Sequence, residues 1–367
     1  MKTERLHIEY PKNSSSEMED LLREKITNSV NLPKIKQVKN VFVTHDGLVL
    51  KNGLLVKGCA FNLKGNEDKT FYYTFWRDTI EKFAVCKWGK SLKSIHLKGP
   101  QKYLLIHSKW FNYSFWINGF LPRLIQAEDE GLLKTTKLIV PEGWKDIPYV
   151  WESLKAFEIQ IEMIPIDHHI FVDYLIMPET RKWTASFVPS TIKRTNERLV
   201  KEALLRVSSK NIETHKVYLT RSSRGVRCIE NEDEVIASVQ KWGYKVIKFE
   251  DLSIWEQIKL MNNTTHFISI HGAGFSNLLF MKEGSTVLEL VNKPYAKAEY
   301  TFPFWKLANA SSVNYYMQLC EVNSPENSLL SYGKDSEISE TKYLVNQNII
   351  VDLTLLEENI QLMEFKF

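Results

Sequence analysis

Thiols are scarce in this 367-residue chain, and the four present, Cys59, Cys86, Cys228 and Cys320, lie far apart. None falls in a C-x-x-C or a Cys/His metal spacing, so the pattern points to reduced thiols in a reducing compartment. Long apolar runs are missing too. The longest charge-free apolar stretch, around Phe267 to Met281, contains Ser, His, Gly and Asn. It falls short of the ~20 residues of a membrane-spanning helix. The first ten residues lack the apolar core of a secretory signal, which makes a cytoplasmic location the expectation. Charge of one sign is not in excess: 48 basic against 44 acidic residues leave +4, too little to argue for nucleic acid as a partner. Several catalytic signatures are absent. There is no Walker A loop, no G-x-G-x-x-G and no G-x-S-x-G elbow, which weighs against NTPase, dehydrogenase and hydrolase chemistry. No Asp-x-Asp occurs, which weighs against a metal-chelated nucleotide-sugar site. His168-His169 is an isolated pair, and no metal site is expected there.

The remaining composition is that of a globular protein, with 44% hydrophobic and 25% charged residues. At roughly 150 residues per domain the length gives about two and a half domains. Residues 1–35 are polar and read as a tail. Short runs at Val41, Gly47 and Leu54, broken by Asp46-Gly47 and Asn52-Gly53, signal an antiparallel β-hairpin element. From Tyr103 to Pro178 extended segments alternate with helices, forming a first lobe over 36–182. A composition shift between Arg181 and Pro189 marks the junction to a second lobe over 183–340. There the strands Lys216–Thr220, Lys245–Phe249, His266–Ile270 and Thr286–Leu290 alternate with helices, the pattern of a parallel, doubly wound α/β sheet. Residues 341–367 carry a terminal strand and helix expected to pack back across the lobes.

The strongest local feature is His271-Gly-Ala-Gly-Phe-Ser-Asn277, placed where a buried strand ends and a short helix begins. Open α/β sheets bind ligands outside the carboxyl ends of their strands. Gly272 and Gly274 would let backbone N–H groups approach an oxygen-rich ligand, with Ala273 and Asn277 in the same loop and a helix N-terminus behind it. The plainer alternative is a tight turn in which glycine serves its dihedral angles alone. Arg221, Arg224 and Arg227 follow the first strand of the lobe on the same rim. Arginine forks match diphosphate oxygens, although Arg224 reads best as a solvated charge. Asn231 and Glu232 either cap the next helix or border the site. Glu289 ends another strand there, as a sugar-hydroxyl acceptor or as a salt-bridge partner. In the first lobe an aromatic stretch includes Asn112, Trp116 and Arg123, either core or cleft.

The ordered set Arg221, Arg227, Asn231-Glu232, Leu252-Ser-Ile-Trp-Glu-Gln257, His271-Gly-Ala-Gly-Phe-Ser-Asn277 and Val287-Leu-Glu289 resembles glycosyltransferase family 61. The match is specific over about Tyr218 to Val291. It extends more weakly to Asn112–Arg123 and in all covers roughly Val41 to Glu364. The resemblance implies a GT-B fold, two Rossmann-like lobes facing a central cleft. It also implies an inverting, metal-independent transfer from a nucleotide sugar, usually a UDP-sugar, to a glycan acceptor. Carried over residue by residue, Arg221 and Arg227 would hold the diphosphate and Glu289 would contact the nucleoside. Asn231, Glu232, Gly272, Ala273, Gly274 and Asn277 would complete the donor side. His271 and Arg221 would assist the chemistry, and Asn112, Trp116 and Arg123 would lie on the acceptor side. One departure matters: the family's usual first-lobe histidine is Phe115 here. That leaves the general base unassigned, with Asp167 and His168 as weak candidates. The expected setting is surface-polysaccharide assembly, with a lipid-linked acceptor and peripheral contact with the inner face of the cell membrane. The competing readings are a non-catalytic nucleotide-sugar-binding component and a nucleotide-sugar epimerase on the same scaffold.

Overall fold

A computed structural model describes residues 3–52, 54–56, 58–59, 93–108, 111–166, 168–179, 187–208, 214–221, 227–297, 302–322 and 346–365. The chain divides into two compact units, one of residues 31–186 (with Met1–Lys2) and one of residues 3–30 and 187–367. The division at 186/187 falls inside the Arg181–Pro189 stretch where the composition changes. Strands are numbered in chain order. β1 (Thr3–Arg5) and β2 (Ser29–Asn31) pair as a small two-stranded sheet.

The first unit holds β3 (Ile35–Val43), β4 (Val49–Lys51), β5 (Leu54–Leu55), β6 (Lys93–Leu104), β7 (Thr136–Pro141), β8 (Gln160–Ile164) and β9 (His168–Pro178). They form one sheet in the order β5-β4-β3-β9-β6-β7-β8. β3, β4 and β5 are antiparallel, joined by turns at Asp46-Gly47 and Asn52, where Asn52 takes a φ of 50°. The β9, β6, β7 and β8 segment is parallel, with an irregularity in β6 between Leu97 and Lys102. The helical run after β6 is not uniform. Asn112 caps a short turn, Tyr113–Phe115, by accepting from Phe115 N at 2.9 Å. A five-residue π-helical turn, Trp116–Phe120, follows and leads into the helix Leu121–Asp129. Trp116 is fully buried, and its indole N–H donates to Ser153 Oγ at 2.8 Å. Arg123 is buried as well. Its guanidinium donates to the carbonyls of Pro178, Ile106 and Leu105, and burial pulls its pKa down to about 9. Both residues are therefore part of the core of this unit, the first of the two readings the aromatic stretch allowed. Buried carbonyls at strand ends need donors, and the fork of Arg123 supplies several at once.

The second unit holds β10 (Lys216–Leu219), β11 (Lys245–Ile247), β12 (His266–Ile270), β13 (Thr286–Asn292) and β14 (Asn314–Cys320). All are parallel, in the order β11-β10-β12-β13-β14. Every residue of β12 and β13 is buried, as expected of central strands covered on both faces. On one face Tyr218, Ile268, Leu288 and Tyr316 pack with Val235 and Val239 of the helix Glu232–Lys241 and with Leu356, Ile360 and Met363 of the helix Leu353–Phe365. The terminal helix thus packs within this unit, through its own apolar positions. On the other face Phe267 stacks between Phe249 and Phe275, at 6.4 and 5.0 Å.

Residues 3–30 correct the expectation of a polar tail. Leu6, Ile8, Met18, Leu22 and Val30 are buried, and Ser15 caps the helix Ser16–Arg23. The segment covers the outer edge of β14. Lys12 N donates to Tyr315 O at 2.8 Å, while the Asn13 amide bonds Met317 N and O at 3.1 and 2.9 Å. An uncovered edge strand is a liability, and here the chain's own start closes it. No helix among the described residues is long and apolar enough to cross a membrane.

Candidate functional site

The strand order of the second unit has one reversal. From β10 the chain moves outward to β11, then returns to place β12 on the other side of β10. At such a switch point the two following loops diverge and leave a crevice above the strand ends. The loops here begin with Thr220-Arg221 after β10 and His271-Gly272 after β12. Ser269 Oγ donates to Leu219 O at 3.0 Å and ties the two ends together. The topology therefore brings together the two motifs that stand 50 residues apart in sequence.

Their contact is close. The Arg221 guanidinium lies against Gly272, and its Nη1 reaches His271 O at 3.5 Å. A Cβ on Gly272 would collide with that same Nη1, and one on Gly274 would sit 2.7 Å from Leu219 Cδ2. The backbone of Gly272 is extended, at φ 173°. Glycine at these two positions gives room to neighbouring side chains, the Arg221 guanidinium and Leu219, and serves no left-handed dihedral. Behind the loop Ala273–Phe280 winds as a 3₁₀ turn in which Phe275 N donates to Gly272 O at 3.0 Å. Asn277 is buried, and its amide donates to Gly274 O at 3.1 Å, so it shapes the loop from within.

His271 is 13% exposed, and its Nδ1 lies 2.5 Å from Glu289 Oε1. Glu289 is fully buried in mid-β13, and the Tyr315 hydroxyl of β14 donates to its Oε2 at 2.5 Å. Both carboxylate oxygens are engaged inside the protein, one with His271 and one with Tyr315. The rings of Phe304 and Tyr295 flank His271, at 5.2 and 5.8 Å. Burial raises the Tyr295 hydroxyl to about 12, with the charge of Arg227 opposing that rise and the charge of Glu289 adding to it. Arg227, half-buried, is thus electrostatically coupled to the same cluster. It takes a φ of 56°, and its N–H donates to Asn346 O at 3.2 Å.

Two other expected donor-side residues have structural partners. The Asn231 amide exchanges hydrogen bonds with Val351, donating to its O at 2.9 Å and accepting from its N at 3.0 Å. Glu232 Oε1 accepts from Tyr218 OH at 2.9 Å and Thr220 Oγ1 at 2.7 Å. Asn231 thus holds Val351, and Glu232 ties the start of its helix to the end of β10. Glu256 closes a capping box with Ser253 at the start of the helix Ile254–Asn263. Asn112 and His168 belong to the first unit, His168 with Nδ1 3.0 Å from Ile166 O. Asp167, Arg224 and Trp110 lie outside the described residues. Among the described residues no group of three or more His, Cys, Asp or Glu could hold a metal ion. Sequence reasoning missed Tyr315, Tyr295 and Phe304. The alternation Tyr315, Met317, Leu319 would have marked the strand carrying the first.

Residues 113–288 match the family model for glycosyltransferase 61. Over that segment, just under half of the chain, the sequence is similar to glycosyltransferase 61. The matched segment runs from the turn after Asn112 into β13 and contains Arg221, Arg227 and the whole His271–Asn277 loop. Curated relatives are similar over shorter stretches. The EGF domain-specific O-linked N-acetylglucosamine transferase of Mus musculus is 33% identical over 82 residues, 21% of this chain and 16% of the relative. The Drosophila melanogaster protein of the same description is 33% identical over 78 residues, 20% and 15% of the two chains. That of Gallus gallus is 33% identical over 82 residues, 21% and 15%. The chain thus spans about one sixth of the length of these relatives.

Proposed function

We propose that the protein is a glycosyltransferase whose donor, a nucleotide sugar with UDP as the nucleotide, binds with its diphosphate over the β10/β12 crevice. The observation that carries this reading is the Arg221 guanidinium held against Gly272 at the switch point. A cation fork, a glycine without a side chain and the first amides of a helical turn then address one volume. That combination suits oxygens of a diphosphate.

When the bond from the anomeric carbon to the donor phosphate breaks, negative charge builds on the leaving diphosphate. Preorganised positive groups aimed at that charge lower the barrier. Arg221 and Arg227 supply them here, and His271 reaches the ligand through Nε2 because Nδ1 is committed to Glu289. In-line attack by an acceptor hydroxyl inverts the anomeric centre, with a base to take the proton. A glycan, free or lipid-linked, is the acceptor in this reading, and assembly of a surface polysaccharide by an enzyme peripheral to a membrane is the setting. The names of the relatives specify an O-linked N-acetylglucosamine transferase, so an N-acetylglucosamine donor is the first to try.

The test is incubation of purified protein with UDP-sugars, with and without glycan acceptors, read as UDP release and product mass. Acceptor-dependent release with a matching mass increase in the acceptor is expected. Conversion of the sugar without acceptor would establish epimerisation instead, and no turnover of any donor would contradict transfer.

A further inference from the structure

We propose that Tyr315 is a positioning residue for His271, acting through Glu289. The inference rests on the reading of His271 as a ligand-facing group and adds a residue that lies outside the motif loops and the matched segment 113–288.

The arrangement follows from strand register. Val287 of β13 is paired with Tyr315 of β14, and Glu289 with Met317. Glu289 and Tyr315 are therefore diagonal neighbours on one face of the sheet, within reach for a long acid and a tyrosine. Tyr315 is almost wholly buried and donates to Glu289 Oε2, while Oε1 meets His271 Nδ1, each at 2.5 Å. Burial and the neighbouring carboxylate hold the Tyr315 hydroxyl well above its ordinary value, so it remains a donor. A carboxylate that accepts at both oxygens cannot also donate. Nδ1 of His271 must then carry the proton, and the acceptor lone pair of the ring lies on the opposite nitrogen, Nε2. This is the logic by which a buried acid sets the tautomer of an imidazole.

Tyr315 contributes the second constraint. A glutamate side chain can turn its terminal carboxylate about the last bond, and one hydrogen bond to His271 does not stop that rotation. A second bond on Oε2 fixes the plane and hence the direction of Oε1. The strand carrying Tyr315 is itself held, because Tyr315 O accepts from Lys12 N at 2.8 Å. The path runs from the covering N-terminal segment through β14 and Glu289 to the imidazole.

Tyr315→Phe keeps the ring and removes only the donor. It is expected to lower kcat roughly 10-fold, the scale on which supporting hydrogen bonds act. The donor KM should stay within about twofold, because ground-state binding is unaltered. In a Glu289→Gln background the same change is expected to have no further effect, since the two act in one path. Losses that multiply instead would assign Tyr315 a purely structural role and overturn the proposal. A second readout needs no turnover, so it separates failure of this inference from failure of the transferase reading. Nitrogen NMR of the histidine rings should show neutral His271 of the wild type as the Nδ1–H tautomer, and a mixture of tautomers in Tyr315→Phe. A wild-type Nε2–H tautomer would overturn the proposal, as would an unchanged single tautomer in the variant.

Discussion

Arg221→Ala is expected to lower sugar transfer by about 100- to 1000-fold, the range seen when a preorganised charge-stabilising donor is removed. The residue stands at the end of β10, half-buried, and its hydrogen bond to His271 O is long at 3.5 Å. Circular dichroism and the melting temperature of the variant should stay near the wild type. Arg221→Lys should fall between the two, because an ammonium keeps the charge and loses the planar fork. Gly272→Ala should reproduce part of the loss, since its methyl group would occupy the place of Nη1 and force the guanidinium away. Steady-state kinetics with the preferred donor check all three. Wild-type turnover in folded Arg221→Ala would remove Arg221 from the site.

Acid should weaken the first unit strongly, through His107. This imidazole is 1% exposed, and burial holds its pKa down at about 3, against 6.5 for the free group. One ring nitrogen, Nε2, lies 3.3 Å from His45 O, and Nδ1 has no hydrogen-bond partner among the described residues. The sign follows from proton counting. Between about pH 6.5 and 3 the unfolded chain binds a proton at His107 that the folded chain refuses. The contribution is fully present above pH 6.5 and is lost as pH falls toward 3, a swing on the order of 4 kcal/mol. Denaturant unfolding followed from pH 7 to 4 should show the decline, and His107→Gln should flatten it. His266, lowered chiefly by burial in the second unit, adds a decline of the same sign that His107→Gln leaves in place. An identical slope in wild type and His107→Gln would contradict the assignment.

Much of the second unit was legible because its strands are apolar runs with clear ends. His266–Ile270 is the strand expected from sequence, and Lys216–Leu219 and Thr286–Asn292 begin where the sequence places them. Residues 3–30 were not legible as folded, because their apolar residues are few and are buried by partners nearly 300 positions away. The local signs were present, in the alternation of Leu6 with Ile8 and in Met18 and Leu22 four apart behind Ser15. The motif loops could be placed on one rim from strand order alone. What each side chain does there depends on register, which sequence does not display. Glu289 looked like a rim acid and lies in mid-strand between His271 and Tyr315. Asn231 holds Val351, and Glu232 ties the start of its helix to the end of β10. Trp116 and Arg123 allowed a core or a cleft reading, and a π-helical turn and a set of strand-end carbonyls draw them inward.

The most direct test of the central claim is calorimetric titration of UDP into the wild type and Arg221→Ala under identical salt. The account predicts saturable one-site binding by the wild type, weakened at least about tenfold in the variant by loss of a charge-assisted fork. No binding by the wild type, or equal binding by both proteins, would contradict a diphosphate site at the β10/β12 crevice.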